Sequence, residues 1–253
     1  MRKLPKAIKT LVEGKNWQKD EVGESHSSVY LYDHCVLKVG EINQENIREY
    51  EILSWLSNKL DVPRVVRFEK NRKKTYLLMS KIEGKPAFML PYEEAIQLAC
   101  EGLRRLWMID TSTFPYLNSK KDALDFVKNN VDLHEKELME YADTKTYQNS
   151  SFKNPKELYK WIEENYPDKE KTVFSHGDYF LPNIIIKDHH IAGFIDFGLA
   201  GLYPKERDIA QLIKSLQYNY KNETRHHELI SRHLDPGIDW DLVEYFKLYD
   251  ELV

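Results

Sequence analysis

Residues 183–198, NIIIKDHHIAGFIDFG, hold two apolar runs parted by Asp188, His189 and His190, residue types that tolerate left-handed backbone angles better than most. Such runs read as a β-hairpin. If His189 and His190 make a two-residue turn, Asn183 falls opposite Asp196, and opposed residues of an antiparallel pair share a face with Cβ atoms about 4.5–5.5 Å apart. One amide and one carboxylate then reach the same point. Oxygen-only ligation of this kind, with room left for water and phosphate, is how proteins hold Mg2+ when a nucleotide supplies the other ligands. Asp178, five residues before Asn183 and ahead of the strand, is set to project from a loop toward the same phosphate and orient a hydroxyl.

The rest of the chain divides by periodicity. PKAIKTLVE, residues 5–13, carries apolar side chains at helical spacing and stops at Gly14. SSVYLY and CVLKV, parted by Asp33-His34, predict a hairpin, and NQENIREYEILSWLSNKL an amphipathic helix; VPRVVRFEK and KKTYLLMSKI come next as strands. After Glu83-Gly84-Lys85-Pro86 the pattern turns helical, in YEEAIQLACEGLRRLW, DALDFVKNNVDLHEKELMEY and NPKELYKWIEENY, with only the opening hairpin strand-like. Residues 207–253 are again helical, broken at Asp235-Pro236-Gly237.

A chain of 253 residues can bury a sizeable core without staples, and 42% apolar residues with ten each of Gly and Pro are those of a soluble globular protein. Cys35 and Cys100 show no metal-ligand spacing and read as small buried hydrophobes in a reducing compartment. The basic start MRKLPKAIKTLVEGK lacks the apolar run of a signal peptide, and no stretch is apolar enough to span a bilayer, so the protein is read as cytoplasmic with no membrane partner. A net charge of −4, with the cations scattered, disfavours nucleic acid and suits a small cationic ligand.

His176-Gly177-Asp178 followed by Asn183, and Asp196-Phe197-Gly198, resemble the catalytic loop H-R-D-x-x-x-x-N and the metal motif D-F-G of the protein-kinase-like superfamily. HGD in place of HRD, the spacer NPKELYKWIEENYPDKEKTVFSHGD, the pair IIIKDHHIAGFIDFG and the ending YDELV are similar to the aminoglycoside 3′-phosphotransferase family. LLMSKIEG and FPYLNS carry the similarity over essentially the whole chain. The resemblance implies an α+β, protein-kinase-like two-lobed fold: a small β-rich nucleotide-binding lobe over 1–82 and a larger, mostly helical catalytic and substrate-binding lobe over 83–253. It implies an ATP-dependent enzyme, acting as a monomer, that moves the γ-phosphate to a hydroxyl, the 3′-hydroxyl, of an aminoglycoside antibiotic and so confers resistance. Asp178 then orients or deprotonates the acceptor, and Asn183 and Asp196 hold Mg2+. His176 braces the catalytic loop, and Asp208 ties it down by hydrogen bonds.

Phosphoryl transfer also needs a cation over the nucleotide phosphates. Lys38 in CVLKV sits in a strand, and the next helix bears Glu49 on the stripe of Ile52, Leu53 and Leu56. A glutamate on an apolar face is costly unless paired. Lys38 is its expected partner; Glu45, one turn earlier, is the rival, and the likeness of REYEILSWL to the family's helix favours Glu49. Gly23-Glu24-Ser25-His26-Ser27-Ser28 has one glycine, a weak signal alone; the resemblance makes Ser25, Ser27 and Ser28 the phosphate loop and gives Ser80 and Ile82 the adenine edge. It assigns the polycationic substrate to Asp250, Glu251 and the carboxylate of Val253, and to the acidic stretch 132–143. Trp107, Leu199 and Val253 stand where family members commonly carry a histidine, an arginine and an aromatic residue. The rival readings are a kinase of another small hydroxylated molecule, a macrolide or a metabolic amino alcohol, and a catalytically silent kinase-like binding protein.

Overall fold

The computed structural model describes residues 4–20, 27–116, 120–141, 152–167, 171–234 and 237–253, and its contacts divide the chain into two units. Residues 1–90 and 182–200 make the first; residues 91–181 and 201–253 make the second. The break at Glu83-Gly84 therefore lies inside the first unit, which also takes in the distant hairpin of 184–194.

The first unit opens with α1 (Lys6–Val12), then β1 (Trp17–Lys19), β2 (Ser28–Tyr32), β3 (Cys35–Glu41), α2 (Gln44–Leu56), β4 (Val65–Lys70) and β5 (Lys74–Ser80). The strands form one sheet in the order β1-β2-β3-β5-β4, antiparallel throughout. Alternation gives the sheet two faces. Cys35 and Leu37 of β3 and Tyr76 and Leu78 of β5 bury against Ile8 and Val12 of α1. Lys38, one residue out of phase with Leu37, points to the other face. There α2 packs on β4 and β5, with Ile52, Leu53 and Leu56 buried. Asn43 starts α2 by accepting a bond from the Asn46 N–H at 2.8 Å, a side-chain cap of the usual N-terminal kind.

A second sheet of this unit, β6-β8-β9, joins β6 (Lys85–Pro86) to the hairpin of β8 (Ile184–Lys187) and β9 (His190–Phe194). Its register differs from the expected one. The two-residue turn is Asp188-His189, both at positive φ (51° and 62°), and His190 opens β9 paired with Lys187. Farther on, a bulge with Ala192 as the extra residue shifts the ladder, so that Ile185 faces Gly193 and Ile184 faces Phe194. Asn183 thus lies beside Ile195, whose N–H donates to the Asn183 carbonyl at 3.0 Å, and not opposite Asp196. Gly193 permits a close approach: a Cβ there would lie 2.6 Å from the Asp61 carbonyl oxygen, and the next N–H, of Phe194, donates to that oxygen at 2.9 Å.

The second unit is helical: α3 (Tyr92–Trp107), α4 (Lys120–Tyr141), α5 (Pro155–Glu164), then β7 (Val173–Ser175), β10 (Gly201–Tyr203), α6 (Glu206–Asn219), α7 (His226–His233) and α8 (Trp240–Tyr249). β7 pairs with β10, α3 packs on β7 and α7, and α6 lies against α8. Glu93 and Glu94 open α3 and Arg104 and Arg105 close it, charges that suit its dipole. Cys35 and Cys100 are both free and buried. Among the described residues no helix is long and apolar enough to cross a membrane.

Candidate active site

In the first unit the Lys38 ammonium is held by two carboxylates. Its Nζ lies 2.9 Å from Glu49 Oε2 and 2.9 Å from Asp196 Oδ1, with the lysine side chain 7%, the glutamate 3% and the aspartate 34% exposed. Burial opposes the charge on Lys38, yet Glu49 and Asp196 outweigh it and keep the group protonated far above neutral pH. Burial pushes the Glu49 carboxyl up, and the Lys38 ammonium pulls it back. Glu45 packs against Gly198, where a Cβ would lie 2.7 Å from its Cγ, and its charge adds to the upward push on the Glu49 carboxyl.

The remaining first-unit candidates surround this pair in sequence. Ser25 lies outside the described residues. Ser27 Oγ donates to Asn46 Oδ1 at 3.2 Å, while Asn46 Nδ2 donates to the Glu41 carbonyl at 2.9 Å, so the buried Asn46 of α2 ties the residue before β2 to the end of β3. Ser28 pairs with Val39 as the first residue of β2. Ser80 ends β5 and exchanges two bonds with Arg64, donating N–H to its carbonyl and accepting its N–H at Oγ, both at 2.9 Å. Ile82 lies over Gly193, its Cδ1 2.6 Å from where a Cβ would stand.

Asn183 closes a 3-10 turn at the head of β8, and Asp196 comes after β9 with φ at +67°, a left-handed angle that aspartate accepts more readily than most residues. Both are partly exposed. One Asp196 oxygen faces Lys38, and the donors are a carboxylate and an amide, hard oxygen ligands on two strand ends. Among the described residues no three His, Cys, Asp or Glu side chains cluster as a metal site. A pair of oxygen donors that leaves most of the coordination sphere to water and phosphate fits Mg2+, which keeps several waters when bound to protein.

In the second unit a stripe on α6 fastens the loop that carries Asp178. Asp208 is fully buried and accepts Ser175 Oγ at 2.8 Å, the His176 N–H at 3.0 Å and Trp107 Nε1 at 2.9 Å. Gln211 Nε2 donates to the Gly177 carbonyl at 2.6 Å, and its Oε1 accepts the Tyr179 N–H at 2.9 Å. Ser215 Oγ accepts the Leu181 N–H at 2.9 Å. The Asp178 N–H donates to His176 Nδ1 at 3.3 Å, and Tyr179 Oη donates to the Ala99 carbonyl at 2.7 Å. Gly177 supplies φ of +80° at the bend, a conformation costly to any residue with a Cβ. Burial raises the Asp208 carboxyl to about 6, against the hydrogen bonds and the Arg207 charge that lower it.

The C-terminal acids also meet α6. Lys214 Nζ lies 2.9 Å from Asp250 Oδ2 and 2.8 Å from Glu251 Oε1, with both carboxylate side chains under a tenth exposed. Val253 is partly exposed. Along 132–143, Asp132 pairs with Lys128, Glu135 with Lys156 and Glu137 with His134, all at the surface, while Asp143 lies outside the described residues.

Sequence reasoning paired Lys38 with Glu49 and had Asp208 tie down the catalytic loop. It missed Asn46, Gln211, Lys214 and Ser215. For two of these a signal was present: Asp208, Gln211 and Ser215 form a polar stripe at helical spacing inside the apolar run DIAQLIKSL.

A model of the phosphotransferase enzyme family matches residues 17–243. An aminoglycoside 3′-phosphotransferase of Enterococcus faecalis is 33% identical over 97% of this chain and 96% of its own. One of Staphylococcus aureus is 32% identical with the same coverage. Among solved structures, an aminoglycoside phosphotransferase from Streptomyces rimosus in complex with ADP and streptomycin shares the fold, with a TM-score of 0.77 at 20% identity over 97% of this chain and 95% of that one.

Proposed function

This chain belongs to the aminoglycoside 3′-phosphotransferase family of phosphotransferase enzymes, with its protein-kinase-like fold, and we propose that it moves the γ-phosphate of ATP to the 3′-hydroxyl of an aminoglycoside antibiotic. The observation that carries this reading is the Lys38 ammonium fixed at 2.9 Å between Glu49 and Asp196. A buried cation held by one acid on a helix and another on a motif strand end is the device that grips nucleotide phosphates in this chemistry. The ADP bound to the Streptomyces rimosus protein supports a nucleotide donor.

The proposed roles rest on charge and position. Lys38, aimed by Glu49, grips the α and β phosphates; Ser25, Ser27 and Ser28 cover them, and Ser80 and Ile82 border the adenine. Asp196 and Asn183 would hold Mg2+, which supplies charge neutralisation for the transferring phosphoryl group. Asp178 orients the acceptor hydroxyl and takes its proton. Catalysis is then mostly positioning and electrostatic stabilisation, as expected for a loose transition state.

Asp250, Glu251 and Val253 receive the ammonium groups of the drug, which share the first two acids with Lys214. Residues 1–82 serve the nucleotide and 83–253 the catalysis and the acceptor. The enzyme works as a monomer in the cytoplasm, without a nucleic-acid partner.

The test is Mg2+-dependent ADP release with kanamycin or neomycin against erythromycin and choline. Turnover with the aminoglycosides and phosphate on the 3′-hydroxyl by NMR is the expected result. Turnover confined to erythromycin or choline overturns the acceptor, and no turnover with any of them overturns the enzyme reading.

A further inference from the structure

One side chain of α6 touches both peptide groups that flank Asp178. Gln211 is 1% exposed; its Nε2 donates to the carbonyl of Gly177 at 2.6 Å, and its Oε1 accepts the N–H of Tyr179 at 2.9 Å. The first belongs to the peptide plane before Asp178 and the second to the plane after it. Fixing both planes fixes φ and ψ of the residue between them, and with them the direction of its Cα–Cβ bond. A carboxamide is the side-chain group that can donate to one plane and accept from the other at once.

The second Nε2 hydrogen goes to Asp250 Oδ1 at 3.0 Å. That bond also settles which way the amide faces, because an inverted Gln211 would turn its oxygen toward two acceptors, the Gly177 carbonyl and the Asp250 carboxylate. Arg207 Nη2 adds a longer bond, 3.3 Å, to the Gly177 carbonyl, and Lys214 holds the other Asp250 oxygen at 2.9 Å. Asp250 is thereby connected to the Asp178 backbone through a single buried side chain.

We propose that Gln211 is the positioning residue of the phosphoryl-transfer site, setting the aim of Asp178 and coupling it to the acceptor-binding carboxylate Asp250. This rests on the reading of Asp178 as the acceptor base and Asp250 as a drug ligand. Gln211 acts through the backbone on either side of Asp178 and through the carboxylate of Asp250. A misplacement of the reacting group by about 1 Å can cost on the order of a hundredfold in rate, and this is the loss the clamp prevents.

The experiment is a kinetic cycle on the full chain with ATP and kanamycin, using Gln211→Met, Asp250→Ala and the double variant, with amide hydrogen exchange at Tyr179 measured in each. Gln211→Met is expected to lower kcat by about 10- to 100-fold with the ATP KM within twofold of the parent, and to speed exchange of the Tyr179 amide. Asp250→Ala is expected to raise the kanamycin KM and to lower kcat as well, and the double variant to lose less in kcat than the product of the two single losses. If Gln211→Met lacks a cooperative thermal transition, Gln211→Glu replaces it, since it keeps the acceptor for Tyr179 but loses both donors; the same kcat loss is expected. A kcat within twofold of the parent in a folded Gln211 variant, or fully multiplicative losses, overturns the proposal. If the parent itself leaves kanamycin unphosphorylated, the acceptor reading falls, and the Tyr179 exchange rate alone decides the clamp: unchanged protection overturns it, faster exchange upholds it.

Discussion

Lys38 and Asp196, 158 positions apart in the chain, meet at 2.9 Å. The same ammonium is 2.9 Å from Glu49, so one cation is shared by a buried acid and a partly exposed one. Removing the buried acid leaves a lysine out of water with half of its compensation. Glu49→Ala is expected to cost about 3–5 kcal/mol in urea unfolding and to raise the KM for ATP by about tenfold. A variant as stable as the parent would show that the pair does not hold this unit together.

Asp178→Asn keeps the size of the side chain and removes its basicity. Turnover should fall by about 10²- to 10⁴-fold, the range of general-base catalysis, while ATP affinity by calorimetry stays unchanged. A tenth of the parental kcat in the purified variant contradicts the role given to this residue.

Asp196 and Asn183 are assigned one metal between them but contribute unequally. Asp196→Ala should abolish Mg2+-dependent turnover, and chelation by EDTA should do the same to the parent. Asn183→Ala removes a neutral ligand and is expected to raise the Mg2+ concentration for half-maximal rate by about tenfold, equivalent to about 1.4 kcal/mol. Titrating Mg2+ at saturating ATP checks this, and an unchanged midpoint would remove Asn183 from the metal.

Burial holds the Asp208 carboxyl at about 6, above its ordinary value of 3.8, despite the bonds from Trp107 and Ser175, the Arg207 charge and the His176 N–H. Between those values the folded protein keeps a proton that the unfolded chain has released. Stability should therefore fall as pH rises from about 4 to about 6, by up to about 3 kcal/mol, and this contribution should be level above that range. Urea unfolding across this range, in the parent and in Asp208→Asn, gives the measurement. The variant lacks this component of the slope; parallel curves would assign it to another group.

The sequence discloses those parts of the fold in which a charge contradicts its surroundings. Glu49 on an apolar stripe demanded a cation, and Lys38 in a strand supplied it. The long helices α3 and α4 were readable from periodicity, whereas β1, β6 and β10, of two or three residues each, are too short to carry any. The hairpin was legible but its register was not. Asp188 and His189 took the positive φ angles, and the bulge at Ala192 moved the ladder once more, choices invisible in alternation alone. The α6 stripe was half legible. Asp208 was expected to tie down the catalytic loop, but Gln211 and Ser215 resemble any solvated helix residues until the loop that covers them is known.

Arg207, Gln211 and Ser215 recur at intervals of four along α6: the first two meet the Gly177 carbonyl, Gln211 also the Tyr179 N–H, and Ser215 the Leu181 N–H. Every residue added to a helix turns the side chains beyond it by about 100°. An insertion or deletion of one residue between 208 and 215 would therefore rotate the later graduations off the loop while leaving the earlier ones engaged. A replacement in this helix removes only that residue's own bonds, but a change in its count shears the whole gauge, so its length is under tighter constraint than its composition.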